Sequence, residues 1–171
     1  MIDIYVQLAS DTIKTYLEKE ELPDKSTIPP EIQTKRAGCF VSLHTNTGKL
    51  RGCVGTIIPV YKNLSGEIMA NAIAASQHDT RFTPVSLKEL ENIDINVDVL
   101  STPEQIFSDK DLDIKKYGVI VQASDGRDGV LLPDIKGIDS VKDQLTIARE
   151  KAGILPDEEI SLFRFTVDRH E

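Results

Sequence analysis

The sequence predicts an α+β domain built on a mainly antiparallel sheet flanked by helices, and three features support that expectation. Residues 93–100, Ile-Asp-Ile-Asn-Val-Asp-Val-Leu, alternate apolar with polar so strictly that they read as a strand with one wet face. Two pairs of strand-like runs are joined by turn chemistry, Thr45-Asn46-Thr47-Gly48 in the first and Ser124-Asp125-Gly126-Arg127-Asp128-Gly129 in the second. A helical pattern over 63–79 follows the first pair, so the order is helix, hairpin, helix, strand, hairpin, helix, strand. Strands joined by tight turns are antiparallel, which argues against a doubly wound parallel sheet.

From Ile4 to Leu17 the apolar residues Ile4, Leu8, Ile13, Tyr16 and Leu17 recur at roughly helical spacing, which predicts a first amphipathic helix. Pro23, Pro29 and Pro30 make 23–30 a linker, because proline is a poor helix interior, and the linker is expected to lead directly into the first hairpin. The hairpin strands are predicted at 37–44 and 49–56. A loop of two or four residues makes cross-strand partners sum to an odd number. Arg51 and Cys53 then share a face with Phe40, Ser42 and His44, while Cys39, Val41, Leu43, Leu50 and Val54 form the core face. Parity of this kind also disfavours a Cys39–Cys53 disulfide. The helix over 63–79 has Asn63 or Ser65 as N-cap and an apolar stripe of Leu64, Ile68, Met69, Ala72 and Ala75, whose small residues imply close packing against the sheet. Pro103 ends the strand 93–100; further strands are predicted at 117–123, 130–132 and 160–167, with a helix at 140–152 closed by Gly153.

At 171 residues the chain suits a single domain over 1–171, with room for a small subdomain. Its 20 Lys+Arg against 28 Asp+Glu give a net charge of −8, which repels a polyanion, and none of its nine aromatic residues (four Tyr, five Phe) is interleaved with a basic run. Both features argue against nucleic acid as a partner. Two cysteines are too few for a disulfide framework and offer no structural zinc spacing, so free thiols in a reducing cytosol are expected. The N-terminus lacks a basic region followed by an apolar run, and no apolar stretch approaches membrane-spanning length. The chain reads as soluble and cytoplasmic, with no membrane partner and no cofactor.

The segment Leu50-Arg51-Gly52-Cys53-Val54-Gly55-Thr56 packs a cation, a thiol and two glycines into one strand. Glycines weaken strand interiors, so something is expected to approach the backbone closely at Gly52 and Gly55. Strand alternation puts Arg51 beside Cys53, and a nearby cation favours the reactive thiolate. The plain alternative is a buried cysteine beside a glycine kink. His78, Asp79 and Arg81 bring imidazole, carboxylate and guanidinium together just past the 63–79 helix, where a capped helix exit ordered by an Asp79–Arg81 contact is the plain alternative. Two functional readings follow. In one, an enzyme uses Cys53 as nucleophile, redox centre or radical target, with Arg51 assisting and His78 or Asp79 handling protons. In the other, the strand and the Asp79–Pro84 turn form a groove for a partner protein or a small anion. Arg51 and Arg81 then supply forked donors, Gly52 and Gly55 allow close approach, and Ser42 and His44 add polar groups to the same face. No metal is expected, since His44, His78, Cys53 and Asp79 lack compact ligand spacing.

Leu50-Arg51-Gly52-Cys53-Val54-Gly55 resembles the Leu-Arg-Gly-Cys-Ile-Gly signature of the AMMECR domain family. Ala37-Gly38-Cys39-Phe40-Val41-Ser42-Leu43 resembles the strand before that signature, and Asp79-Thr80-Arg81-Phe82-Thr83-Pro84 resembles the family's Asp-Pro-Arg-Phe segment. Val97-Asp98-Val99-Leu100, Tyr117-Gly118-Val119-Ile120, Leu131-Leu132-Pro133 and Lys151-Ala152-Gly153-Ile154 follow in the family's order, so the resemblance covers nearly the whole chain. Val54, Thr80, Asp134 and Ile138 depart from the residues usual at those places. The resemblance implies a mixed α/β fold on an antiparallel sheet with a smaller subdomain. It also implies a place in the AmmeMemoRadiSam grouping, in which such a domain accompanies a Memo-like protein and a radical SAM protein. No settled biochemical activity comes with it.

Overall fold

Asp3 opens the first helix by accepting hydrogen bonds from the backbone N–H groups of Tyr5 and Val6, and α1 (Ile4–Lys19) then buries Leu8, Ala9, Thr12 and Ile13. The structure, a computed structural model, describes residues 3–171. The proline-rich linker does not lead directly into the hairpin. It passes through a 3-10 turn at Lys25–Thr27 and a short helix, α2 (Pro30–Thr34), whose first residue is a proline at the position where a missing N–H costs nothing. Next come β1 (Cys39–Thr45), β2 (Leu50–Thr56), α3 (Leu64–Ile73), α4 (Leu87–Leu90) and β3 (Ile93–Leu100). The chain continues with β4 (Glu104–Ile106), β5 (Gly118–Ala123), β6 (Asp128–Leu131), α5 (Val141–Lys151), β7 (Ile160–Phe165) and β8 (Val167–His170).

The fold is α+β with antiparallel pairing, as the sequence predicts, and among the described residues the strands form two sheets of four, ordered β2-β1-β3-β8 and β4-β7-β5-β6. Two compact units result: one runs to Leu100 and takes in Asp168–Glu171, and the other is Ser101–Val167. Each has its own core. Cys39, Val41, Leu43, Ile68 and Val97 are among those that close the first, and Val119, Val121, Leu131 and Ala148 are among those that close the second. The strand expected at 160–167 is broken into β7 and β8, which belong to different sheets. Its break lies at Thr166, whose N–H donates to the Ser101 hydroxyl and whose carbonyl accepts from the Ser101 N–H, so its backbone is spent outside either ladder. Among the described residues no helix is long and apolar enough to cross a membrane.

α3 is capped by Asn63, which accepts from the Gly66 N–H, and it ends earlier than expected. Residues Ala74–His78 form a π-helical turn instead of continuing the α-helix to 79. The Ala75 carbonyl on that turn faces β2 so closely that a Cβ on Gly52 would lie 2.2 Å from it. The second unit repeats the device, since a Cβ on Gly129 of β6 would lie 1.8 Å from the Ala148 carbonyl of α5. Close backbone approach is thus the physical reason for both strand glycines.

Gly52→Ala and Gly129→Ala should each destabilise the protein by about 1–3 kcal/mol, because a backbone carbonyl yields less easily than a side chain; denaturant midpoints unchanged from the parent would contradict these contacts. Burial pushes the Cys39 thiol up to about 12, with its hydrogen bond from Asn71 opposing. The neutral thiol is therefore favoured in the fold, and stability present below the unfolded thiol's pKa is lost as pH rises towards 12. Between about pH 9 and 12 this group should lower stability by up to about 1.4 kcal/mol per pH unit, a slope that Cys39→Ala should remove.

Candidate functional site

The site is built on the hairpin. Thr45 accepts from the Gly48 N–H and donates its own N–H to the Lys49 carbonyl, leaving a loop of three residues, 46–48, with Gly48 at φ +78°. The expectation of two or four loop residues is corrected here, and His44 accordingly faces Leu50. A bulge then inserts Arg51 opposite the Leu43/His44 step and restores the odd register beyond it. Leu43 faces Gly52, Ser42 faces Cys53, Val41 faces Val54 and Phe40 faces Gly55. Cys39, Val41 and Leu43 are fully buried as predicted, with Val54 packed against them, whereas Leu50 is exposed because it lies on the loop side of the bulge. Both cysteines are free.

Cys53 is half-buried and its sulfur accepts a hydrogen bond from the Ser42 hydroxyl at 3.2 Å. β2 is the edge strand of its sheet, so alternate residues point their N–H and C=O away from the ladder. At Cys53 both groups are taken. Its N–H donates to Asp79 Oδ2 at 3.0 Å, and its carbonyl accepts from Arg81 Nη2 at 3.1 Å. Arg81 also grips Asp79 through Nε at 2.9 Å and Nη2 at 2.7 Å, and donates its own backbone N–H to Oδ1. The Asp79 side chain is only 6% exposed and that of Arg81 is 56% exposed. Hydrogen bonds from Arg81 hold the Asp79 carboxyl well below the usual carboxylate range, against the opposing effect of desolvation and with help from the Cys53 and Arg81 N–H groups.

Arg51 is directed elsewhere. Its Nε and Nη2 donate to the two carboxylate oxygens of Glu89 on α4 at 2.5 and 3.1 Å, and these bonds lower the Glu89 carboxyl in turn. Arg51 Nη1 is buried with no partner among the described residues. The guanidinium groups of Arg51 and Arg81 lie 6.0 and 5.4 Å from the Phe82 ring centre, so one aromatic ring is flanked by two cations. Gly55 receives the Phe40 ring, since a Cβ there would lie 2.2 Å from a ring carbon. His78 is exposed, and among the described residues it makes no hydrogen bond to Cys53. His44, half-buried, lines a cavity of about 510 Å³ with Ser10, Asp94, Asn96 and Glu171, among others, whose lining does not include Cys53. The structure therefore gathers Ser42, Cys53, Asp79 and Arg81 in one hydrogen-bonded cluster and places Arg51 beside it across Phe82. Among the described residues no three His, Cys, Asp or Glu side chains form a group that could hold a metal ion.

Sequence reasoning missed two supporting groups. Glu89 sits on a helix announced by Ser86-Leu87-Lys88-Glu89, a capping-box spacing, and its N–H donates to the Ser86 hydroxyl. Glu67 and Asn71 lie on the sheet-facing stripe of α3, where a polar residue signals a buried network. Glu67 accepts from Thr56 Oγ1 at 2.6 Å and from the Tyr61 N–H, while Asn71 donates to the Cys39 carbonyl at 3.0 Å. These bonds fix the end of β2 to α3 from below.

Asp79→Asn should cost about 1–3 kcal/mol at neutral pH by weakening the charge-assisted bonds to Arg81 and Cys53. A carboxyl lowered by folding stabilises above its unfolded pKa, and that stability is lost as pH falls towards the folded value. The gap between parent and variant should consequently narrow below about pH 4. A gap constant across that range in chemical denaturation would contradict the assignment.

The model of the AMMECR1 family matches residues 6–170. A Thermotoga maritima protein is 48% identical over 170 residues, covering 98% of this chain and 97% of that protein. A Clostridium acetobutylicum protein is 45% identical over 174 residues, but this chain spans only 36% of its length. Among solved structures, the crystal structure of the uncharacterized protein PH0010 from Pyrococcus horikoshii superposes with a TM-score of 0.86 at 31% identity, covering 96% of this chain and 88% of that one. With the family model matched almost end to end, and full-length relatives sharing both sequence and fold, the chain belongs to the AMMECR1 family.

Proposed function

We propose that this protein is a binding or accessory module that acts with Memo-like and radical SAM partner proteins through the Arg51-Gly52-Cys53-Val54-Gly55 strand and the adjoining Asp79–Pro84 turn. The observation that carries the reading is the commitment of Asp79. A carboxylate that accepts from Cys53 N–H and three times from Arg81 is held ionised and has no role left as a proton acceptor at neutral pH. Exposed His78 makes no hydrogen bond to the sulfur among the described residues. What remains is a hydrogen-bonded surface with a half-buried thiol, an aromatic ring between two guanidinium groups and the exposed Arg81 guanidinium, features suited to recognising a partner carboxylate or a small anion. The Clostridium relative, in which a matching region is 36% of the chain, supports the idea of a module that works joined to other polypeptide. Cytoplasmic location belongs to the same reading.

One observation favours the alternative, an enzyme using Cys53 as nucleophile or redox centre with Arg51, His78 or Asp79 assisting: the Ser42 hydroxyl donates to the sulfur of a half-buried cysteine at 3.2 Å. The two readings separate on Cys53→Ser, which keeps the backbone and nearly the size of the side chain. Titration calorimetry with purified Memo-like and radical SAM proteins should give binding by Cys53→Ser within about threefold of the parent. Arg51→Ala and Arg81→Ala should weaken it by about tenfold or more, the loss of a bidentate charged contact. Loss of all function in Cys53→Ser with binding intact would instead favour the enzyme.

A further inference from the structure

We propose that a groove on the first unit, formed on the face of α3 turned away from the sheet, is a docking site for an acidic amphipathic helix of a partner protein. The groove, a cavity of about 670 Å³, is lined by Leu22, Tyr61, Met69 and Ile73, with Lys25 and Lys62 as its charged lining residues. Gly66, Met69, Ala70 and Ile73 of α3 all line it, at the i, i+3, i+4, i+7 spacing of one helix face, Met69 among them only 7% exposed, whereas Leu64, Glu67, Ile68, Asn71 and Ala72 are buried and do not line it. Ala70 is small enough for a second helix to approach closely beside the Tyr61 side chain, which covers Gly66.

The wall of the groove is held open. The loop from β2 to α3 exposes Ile58 at 66%, Val60 at 74% and Tyr61 at 48%, and of these Tyr61 lines the groove. It is pinned at three points. The Pro59 carbonyl accepts from Arg36 Nη2 at 3.0 Å, the Tyr61 N–H donates to buried Glu67, and the Tyr61 side chain lies across Gly66, where a Cβ would come within 2.9 Å of it. An exposed aromatic fixed in this way loses little freedom when a partner covers it. Charge selects the occupant: in a chain of net charge −8 the only charged residues lining this groove, among the described residues, are two exposed lysines. Apolar anchors flanked by Asp or Glu complement that pattern, which is the helix-in-groove mode of recognition. A second copy of the chain, or an anionic lipid surface, presents its charge to the whole acidic molecule, whereas a single short helix seated in the groove meets chiefly the two lysines beside it.

The test uses the full chain, labelled with nitrogen-15, and a synthetic amphipathic helix of about four turns with leucine on one face and glutamate elsewhere. Saturable amide shifts confined to Leu22, Lys25 and the stretch from Tyr61 to Ile73 are expected. Lys25→Glu with Lys62→Glu, both at exposed positions, should weaken binding about tenfold, as should Tyr61→Ala. The same peptide with lysine in place of glutamate should bind at least about tenfold more weakly. Absence of saturable shifts in the groove, or equal affinity for the two peptides, would overturn the proposal. So would concentration-dependent self-association in sedimentation that Lys62→Glu abolishes, which would assign the groove to a second copy. Binding to phosphatidylglycerol vesicles that Tyr61→Asp abolishes, with the acidic peptide inert, would assign it to a membrane surface and likewise overturn it.

Discussion

The buried Asp79 carboxylate is the contact on which the rest of the first unit's site depends. An edge strand leaves N–H and C=O groups without partners, and at Cys53 both are met by side chains, Asp79 accepting and Arg81 donating. The pair stands where a neighbouring strand's peptide group would stand. For that to happen, the end of the α3 segment must come hard against β2, and the π-helical turn at Ala74–His78 with the missing Cβ of Gly52 allows it. Below the strand, Glu67 and Asn71 tie Thr56 and Cys39 to α3, so β2 is held from its edge and from its core side.

This arrangement bears on chemistry because the groups that could move protons are the groups that hold the strand. Asp79 is kept ionised by Arg81, and Arg51 is turned to Glu89. The cluster is polar but balanced, each guanidinium beside Cys53 having a carboxylate of its own. Balanced, hydrogen-bonded charges give a surface of defined shape, and recognition profits from that more than acid–base catalysis does. The Ser42–Cys53 contact is the part of the cluster that points to reactivity, and it lies beside the clamp rather than within it.

Much of this was legible from residue order. The strict alternation of 93–100 gave β3 to the residue, and Ser140 and Gly153 bracketed α5. The shared face of Ser42 and Cys53 was also anticipated, though only because two irregularities together restore the parity: the three-residue loop changes it once and the Arg51 bulge changes it again. Parity sees loop length and is blind to bulges, so Leu50, which lies between the two opposite His44, was misplaced. The capping box at Ser86 could have revealed α4 and with it Glu89. By contrast, nothing local marks the break between β7 and β8, because Thr166 pairs with Ser101, distant in sequence. The π-helical turn was hidden for a similar reason, since helical periodicity runs through 63–79 and only the approach of β2 shows the difference.

Hydrogen exchange at the Cys53 amide tests the central claim most directly. An unprotected edge amide exchanges through local motion, whereas one held by a buried carboxylate waits for a larger opening. The account predicts a Cys53 amide as protected as the core amides of β1, with Asp79→Asn speeding its exchange at least about tenfold while β3 amides slow or quicken only with global stability. A Cys53 amide that exchanges as fast as an open edge, or one unmoved by Asp79→Asn, would contradict it.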